Sequence, residues 1–256
     1  MSSIRAAVAA ALAAASLPAA AGEASDMWWN PAESGWGANV VQQGDVAFVT
    51  LFVHDRDGRP TWYSADARMF ALGDDNRAAF RGTLYRTTGP WHGGPFDPAQ
   101  ATTLPVGSVI LEPRSGGRLH LEYVAEGTRV GKDLSRLTFA LPQPDGYYHG
   151  AFRLRQSETP GTPGTIRQYA ARVAVQLEGG EATLQVAGED GPCEYRGTWE
   201  ASGKYARIAG RYACAGGEEG GFEILDLEVT RHALSGRLST TAPGLHRTGR
   251  FAAARY

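Results

Sequence analysis

Apolar and polar residues alternate along most of the chain with a period of two, and helical spacing is scarce. Runs over 39–43 and 46–53 flank Gly44-Asp45, where glycine accepts positive φ, and this pattern predicts a hairpin. The DRDGRP turn over 55–60 follows, and Trp62-Tyr63 opens a third strand of a meander. Its middle run, VAFVTLFV, is apolar at nearly every position, which predicts a central strand buried on both faces. Further strands are expected over 79–86 with a bulge at Gly82, and over 106–112, 118–124 and 128–139. In the 118–124 run, Leu119, Leu121 and Tyr123 alternate against His120, Glu122 and Val124, as in a half-buried antiparallel strand.

The LPQPDG stretch over 141–146 stops any strand and marks a domain boundary. Beyond it, a segment from Tyr147 and runs over 172–177, 182–186, 193–200, 204–213, 221–230, 234–240 and 247–255 predict eight more strands. Eight antiparallel strands in ~110 residues is the size of a small closed barrel. The expected fold is therefore all-β: two small antiparallel β-barrels or sandwiches, spanning 27–140 and 147–256.

Composition adds an export route. Residues 1–21 have a short start with one positive charge, an alanine-rich apolar run over 6–17, Pro18 and the small residues Ala19-Ala20-Ala21. That is the pattern of a secretory signal peptide, too short for a membrane span. Its removal leaves 24 Lys+Arg against 27 Asp+Glu, a net charge near −3. No basic stretch stands out, which argues against nucleic acid or an anionic membrane as partner. No later apolar stretch reaches membrane length, so the expected location is the periplasm or the medium. In an exported chain the two cysteines, Cys193 and Cys214, are expected to form a disulfide.

Four of the six tryptophans fall between residues 28 and 63, the densest aromatic stretch of the chain. Aromatics at strand starts and in loops suit a ligand-binding rim, and sugars stack their C–H faces on indoles. The candidate binding residues are Trp28, Trp29, Asn30, Glu33, Trp62, Tyr85, Arg86 and Trp91. Trp36 is expected inside the first domain, with Trp28, Trp29 and Trp91 nearer the surface. The expected function is non-catalytic binding of an extracellular glycan or a small amphipathic ligand. A cell-envelope hydrolase is the alternative, using Glu33 with Asp97 or a serine near the Gly/Pro-rich loop over 89–98. A barrel-type protease inhibitor is a second alternative. No cofactor or metal is implied: the six histidines lack ligand spacing, DRDG over 55–58 lacks the distal glutamate of a calcium loop, and 73–76 reads as a polar turn.

The run WWNPAESGWG over 28–37, with QG at 43–44, DGRPTWY at 57–63, GTLYRTTGP at 82–90 and FDP at 96–98, resembles a module that recurs in secreted proteins of proteobacteria. The resemblance spans about 27–139. It implies export and a self-contained domain, and brings no catalytic residues. The second half, with CEYRGTW and GRYAC, resembles a cysteine-paired β domain. Gly197-Thr198-Trp199 with the late arginines Arg250 and Arg255 is similar to small calycin-type barrels, which lay an arginine across a tryptophan at the closed end. Gly35-Trp36-Gly37 with the late 132–136 run repeats that plan faintly in the first half.

Overall fold

Sixteen antiparallel strands account for most of the chain in the computed structural model, which describes residues 23–73, 77–114, 116–189 and 191–256. The expected signal peptide and most of the 73–76 turn lie outside the described residues. The first eight strands are β1 (Asp26–Trp29), β2 (Gly37–Gln43), β3 (Val46–His54), β4 (Pro60–Leu72), β5 (Arg77–Thr88), β6 (Thr102–Arg114), β7 (Arg118–Ala125) and β8 (Thr128–Arg136). The second eight are β9 (Gly146–Ser157), β10 (Thr165–Glu178), β11 (Glu181–Gly188), β12 (Gly191–Ser202), β13 (Tyr205–Cys214), β14 (Glu219–Val229), β15 (Ala233–Ala242) and β16 (Leu245–Arg255). Each set closes into an eight-stranded barrel with neighbours in chain order, except that β9 closes the second barrel between β16 and β10. The two units divide between Ser135 and Arg136. No helix among the described residues is long and apolar enough to cross a membrane.

The first barrel is filled by its inward-facing set, including Trp28, Val49, Leu51, Phe80, Leu84, Leu111, Leu121 and Leu134. Four expectations are corrected here. β3 is not buried on both faces: Val49 and Leu51 point inward, while Phe48 and Phe52 lie 47% and 46% exposed on the outer wall. Trp28 is not a surface residue either. The 26–29 segment, which shows no alternation, is a strand pairing with β2, with Trp28 opposite Ala38. That places the indole inside at 1% exposure, its Nε1–H donating to the Ala24 carbonyl at 2.9 Å. Trp36, expected inside, is half-buried at the core's margin. The irregularity expected at Gly82 falls instead between Leu84 and Tyr85. Gly82 serves a close approach: a Cβ there would sit 2.5 Å from the Asp66 carbonyl oxygen.

In the second barrel Tyr148, Leu154, Ile208, Ile224, Leu227 and Leu238 lead the core. Strands reverse at every turn, so one end gathers the 158–164 loop, the turns after β11 and β15, and the 215–218 loop. The opposite end is closed by Arg255. Its guanidinium lies 5.2 Å from the Tyr148 ring centroid and donates to the Asp145 carbonyl at 3.0 Å and the Gln143 carbonyl at 3.3 Å. The arginine-over-aromatic closure is present, with Tyr148 in the place expected of Trp199 because β9 adjoins β16. Cys193 and Cys214 form a disulfide with S–S 2.00 Å. Their Cα atoms stand 3.9 Å apart, nearer than the usual span of about 4.4–6.8 Å. They face each other directly across β12 and β13, and the neighbouring Ala215 N–H to Pro192 carbonyl bond makes theirs a non-hydrogen-bonded pair, the closer kind.

Candidate functional site

Eight strands leave an interior that side chains either fill or leave open for one small ligand. The first barrel takes the first course and the second takes the other at its open end. There the inward positions are Gly188 on β11 and Gly220 on β14, with the short disulfide between them on β12 and β13. A Cβ on Gly220 would lie 2.1 Å from the Thr241 carbonyl, so that position is fixed by backbone approach. A Cβ on Gly188 would make only ordinary contacts, 3.4 Å to Tyr169 and 3.6 Å to Ala171. The missing volume appears as a cavity of about 180 Å³. Leu154, Val186, Tyr169 and Tyr195 wall it, with Thr240, Arg247, Glu218 and Arg167 as its polar lining. A wider, shallower dip of about 350 Å³ beside it is formed by the 156–165 segment with Gly244 and Leu245, and offers neither a ring nor a paired charge.

Period-two alternation brings Arg247, Gly249, Phe251 and Ala253 to the inner face of β16. An arginine so placed needs a partner, and Glu218 in the loop before β14 supplies it. Arg247 donates through Nη1 to Oε1 and through Nη2 to Oε2, the latter at 2.8 Å, and through Nε to the Gln156 amide oxygen at 3.1 Å. The Tyr212 hydroxyl donates to the same carboxylate at 2.6 Å. Tyr195 stacks on Tyr212 at 5.2 Å and meets Phe222 edge-on at 5.1 Å. Thr240 completes the floor. Its hydroxyl is buried at 2% exposure beside Tyr212, yet makes no well-formed hydrogen bond with any described residue.

Burial dominates the electrostatics of the two phenols. It raises Tyr212 from 10 to about 12, helped by the Glu218 carboxylate and opposed by Thr240 and Arg247. Burial, then the neighbouring phenols of Tyr169 and Tyr212, push Tyr195 up further. At neutral pH both are protonated, so they offer ring faces and donors rather than bases. The sign of the linkage follows: neutral folded phenols stabilise the barrel fully below pH 10, and that contribution is lost as pH rises through about 12. Alkaline titration should show tyrosinate absorbance appearing together with loss of the folded circular dichroism signal. Tyr195→Phe should shift that unfolding to higher pH; an unshifted transition would mean that Tyr195 ionises freely in the folded barrel.

The eight candidate residues of the first barrel do not converge. Trp28 is core. Trp29 is half-buried next to it in sequence. Asn30 shapes the 30–36 loop, its Oδ1 accepting from the Ala32 N–H at 3.0 Å. Glu33 accepts from the inward-facing Lys132 at 2.7 Å and from the Trp36 indole at 3.2 Å. Trp62, 45% exposed, lies on the outer wall opposite Phe52, and Tyr85 lies opposite Ser64. Arg86 pairs with Glu126 at 2.5 Å. Trp91, 74% exposed, covers the backbone of Gly93 and Gly94 in its own loop. Asn30, Glu33, Arg86 and Trp91 share one end of the barrel, while Trp28, Trp62 and Tyr85 face elsewhere.

The carboxylates named for hydrolysis are both in use. The Lys132 ammonium holds Glu33 below the ordinary carboxylate range. Asp97 is held down by the Gln100 amide and the Ala99 N–H, which it caps at the start of a short 3-10 turn. Neither is raised, as the acid partner of a hydrolytic pair would be. The DRDG turn is an ordinary hairpin, Asp55 Oδ1 accepting from the Asp57 and Arg59 N–H groups at 2.9 and 2.8 Å. Among the described residues only 23–25 precede β1, with Ala24 buried, so these include no exposed N-terminal arm of the kind a protease inhibitor would need. No family model matches the chain, and comparison with curated proteins and with solved structures found no match.

Proposed function

We propose that the protein is an exported binding protein with no catalytic role, and that its second barrel captures a small amphipathic ligand in the open mouth. The observation that carries this reading is the 180 Å³ cavity with apolar and aromatic walls over the buried Thr240 hydroxyl, which makes no well-formed hydrogen bond with any described residue. An apolar cavity of about 150 Å³ admits benzene, so the ligand is the size of one ring with a polar substituent. That substituent would meet Thr240, the Arg247–Glu218 pair being already satisfied. The first barrel's aromatic residues give weaker support to a glycan, because they do not form one surface. The disulfide and the absence of a membrane-length helix among the described residues are compatible with a periplasmic or extracellular place.

Isothermal titration with p-cresol and benzyl alcohol tests the reading. The wild-type protein should bind one of them saturably. Gly188→Leu should fill the cavity and abolish binding with the fold intact. Thr240→Val should bind about tenfold more weakly, one hydrogen bond's worth, while resisting urea better because a buried unsatisfied group is gone. Equal affinity in wild type and Gly188→Leu would place the ligand elsewhere.

A further inference from the structure

The outer wall of the second barrel carries a pattern that the mouth does not use. Strands β9, β10 and β16, neighbours in the sheet, turn four arginines outward, Arg153, Arg155, Arg172 and Arg250, and contain one acid, Glu178 at the end of β10. The register arranges the outward residues in rows running across the strands. One row reads Ser235, Ala252, Ala151, Ala170 from β15 to β10. The row on one side reads Arg237, Arg250, Arg153, Gln168, and the row on the other includes Ala254, His149 and Arg172. Arg155 lies one row beyond Arg153. Rows on one face are roughly 7 Å apart, so Arg237, Arg250 and Arg153 stand on one bank and Arg172, beside His149, about 14 Å away on the other, over a floor of three alanines and Ser235. On the side of Arg153 and Arg250 the floor of this trough, Ala151, Ala170, Ala252 and Ser235, forms an open depression of about 680 Å³.

Of the trough's arginines one is compensated. Arg237 pairs with Asp226 at 2.7 Å. Arg153, Arg155, Arg172 and Arg250 are exposed, and their side chains make no ion pair or hydrogen bond with any described residue. Arg250 and Arg153 stand directly opposite each other, an arrangement of like charges that costs stability on a sheet. An arrangement that disfavours the free barrel becomes favourable once an anion lies between the guanidiniums.

We infer that this trough is a second binding site, for a linear anionic polysaccharide. Carboxylate or sulfate groups along such a chain would meet the guanidiniums on both banks, and the C–H faces of its sugar rings would lie on the alanine methyls. The floor decides against two other polyanions. A bilayer would need apolar side chains projecting beyond the arginines, and the alanines lie below them. Single-stranded nucleic acid would need ring faces for its bases, and the floor offers methyl groups.

Fluorescence anisotropy of labelled polygalacturonate, with the purified protein in low salt, tests the assignment. Binding is expected, with loss as sodium chloride is raised and no binding of neutral dextran. The double variant Arg153→Glu/Arg250→Glu should bind at least tenfold more weakly. Arg196→Glu/Arg211→Glu, an equal change of charge on a cross-strand pair of the opposite wall, should bind as the wild type does. The Gly188→Leu variant should also bind normally, which separates this site from the mouth. The inference is overturned if polygalacturonate does not bind. It is equally overturned if the two double variants weaken binding alike, or if phosphatidylglycerol vesicles or oligothymidylate bind through Arg153 and Arg250 more tightly than the polysaccharide. A dimer in sedimentation that Arg153→Glu/Arg250→Glu dissociates would assign the trough to a second copy and overturn it as well.

Discussion

Trp28→Ala is expected to lower the stability of the first barrel by about 3–5 kcal/mol, the largest effect of any single side chain in that half. Trp28 is the largest of the fully buried side chains. Its loss removes the transfer free energy of an indole and leaves a cavity that a closed ring of strands cannot collapse around. The Ala24 carbonyl also loses its donor in a buried place, a further penalty of about 1–3 kcal/mol that overlaps the first. Trp28→Phe separates the two, since it keeps most of the apolar ring and removes only the N–H. Urea denaturation should give the order wild type, Trp28→Phe, Trp28→Ala, with a shared slope. Trp91→Ala, at an exposed loop tip, should stay within about 0.5 kcal/mol of wild type. If Trp28→Ala unfolds at the wild-type midpoint, the indole is not the keystone of that core.

The tryptophans show where alternation stops being informative. In the second half eight strands could be read along the chain because most inward residues are apolar and many outward ones polar. The Trp28-Trp29 pair offers no such contrast. Both residues are apolar, and a four-residue strand is too short to show a period, so only pairing with β2 decides which ring goes inside. β3 misled for the opposite reason. Phe48 and Phe52 are apolar residues on an outer wall, where exposed apolar atoms are common, so a continuous run did not mean burial on both faces.

The mouth was legible in part. Cys193, Tyr195, Gly197 and Trp199 share one parity of β12, and Arg247 shares the parity of Phe251 and Ala253. An arginine on the inner set of a small barrel signals a buried partner. The partner itself, Glu218, sits 29 positions away in a loop and has no local mark. The basic wall was invisible for a related reason. A linear scan looks for adjacent charges, whereas a sheet gathers every second residue of three strands. Arg153, Arg155, Arg172 and Arg250 are dispersed in sequence and contiguous only through the β16–β9–β10 register.

Removing the disulfide should destabilise the second barrel by about 3 kcal/mol, the chain-entropy value for a loop of this length. Cys193 and Cys214 are 21 positions apart and close the far end of the β12–β13 hairpin, whose turn lies at the opposite end of the barrel. The pair is directly opposed in the ladder, and in the chain-entropy account the effect of the link falls chiefly on the unfolded chain. A second consequence concerns the mouth. Both cysteines line the cavity, and Cys214 N–H donates to the Glu218 carbonyl at 2.8 Å, tying the hairpin to the loop that holds the Arg247 partner. Cys193→Ala/Cys214→Ala should therefore lower the urea midpoint and also weaken small-ligand binding under conditions where the barrel is still folded. Thiol titration of the non-reduced wild type should find no free group. A reduced protein that keeps both the wild-type midpoint and the wild-type affinity would show that the strand ladder alone holds the mouth.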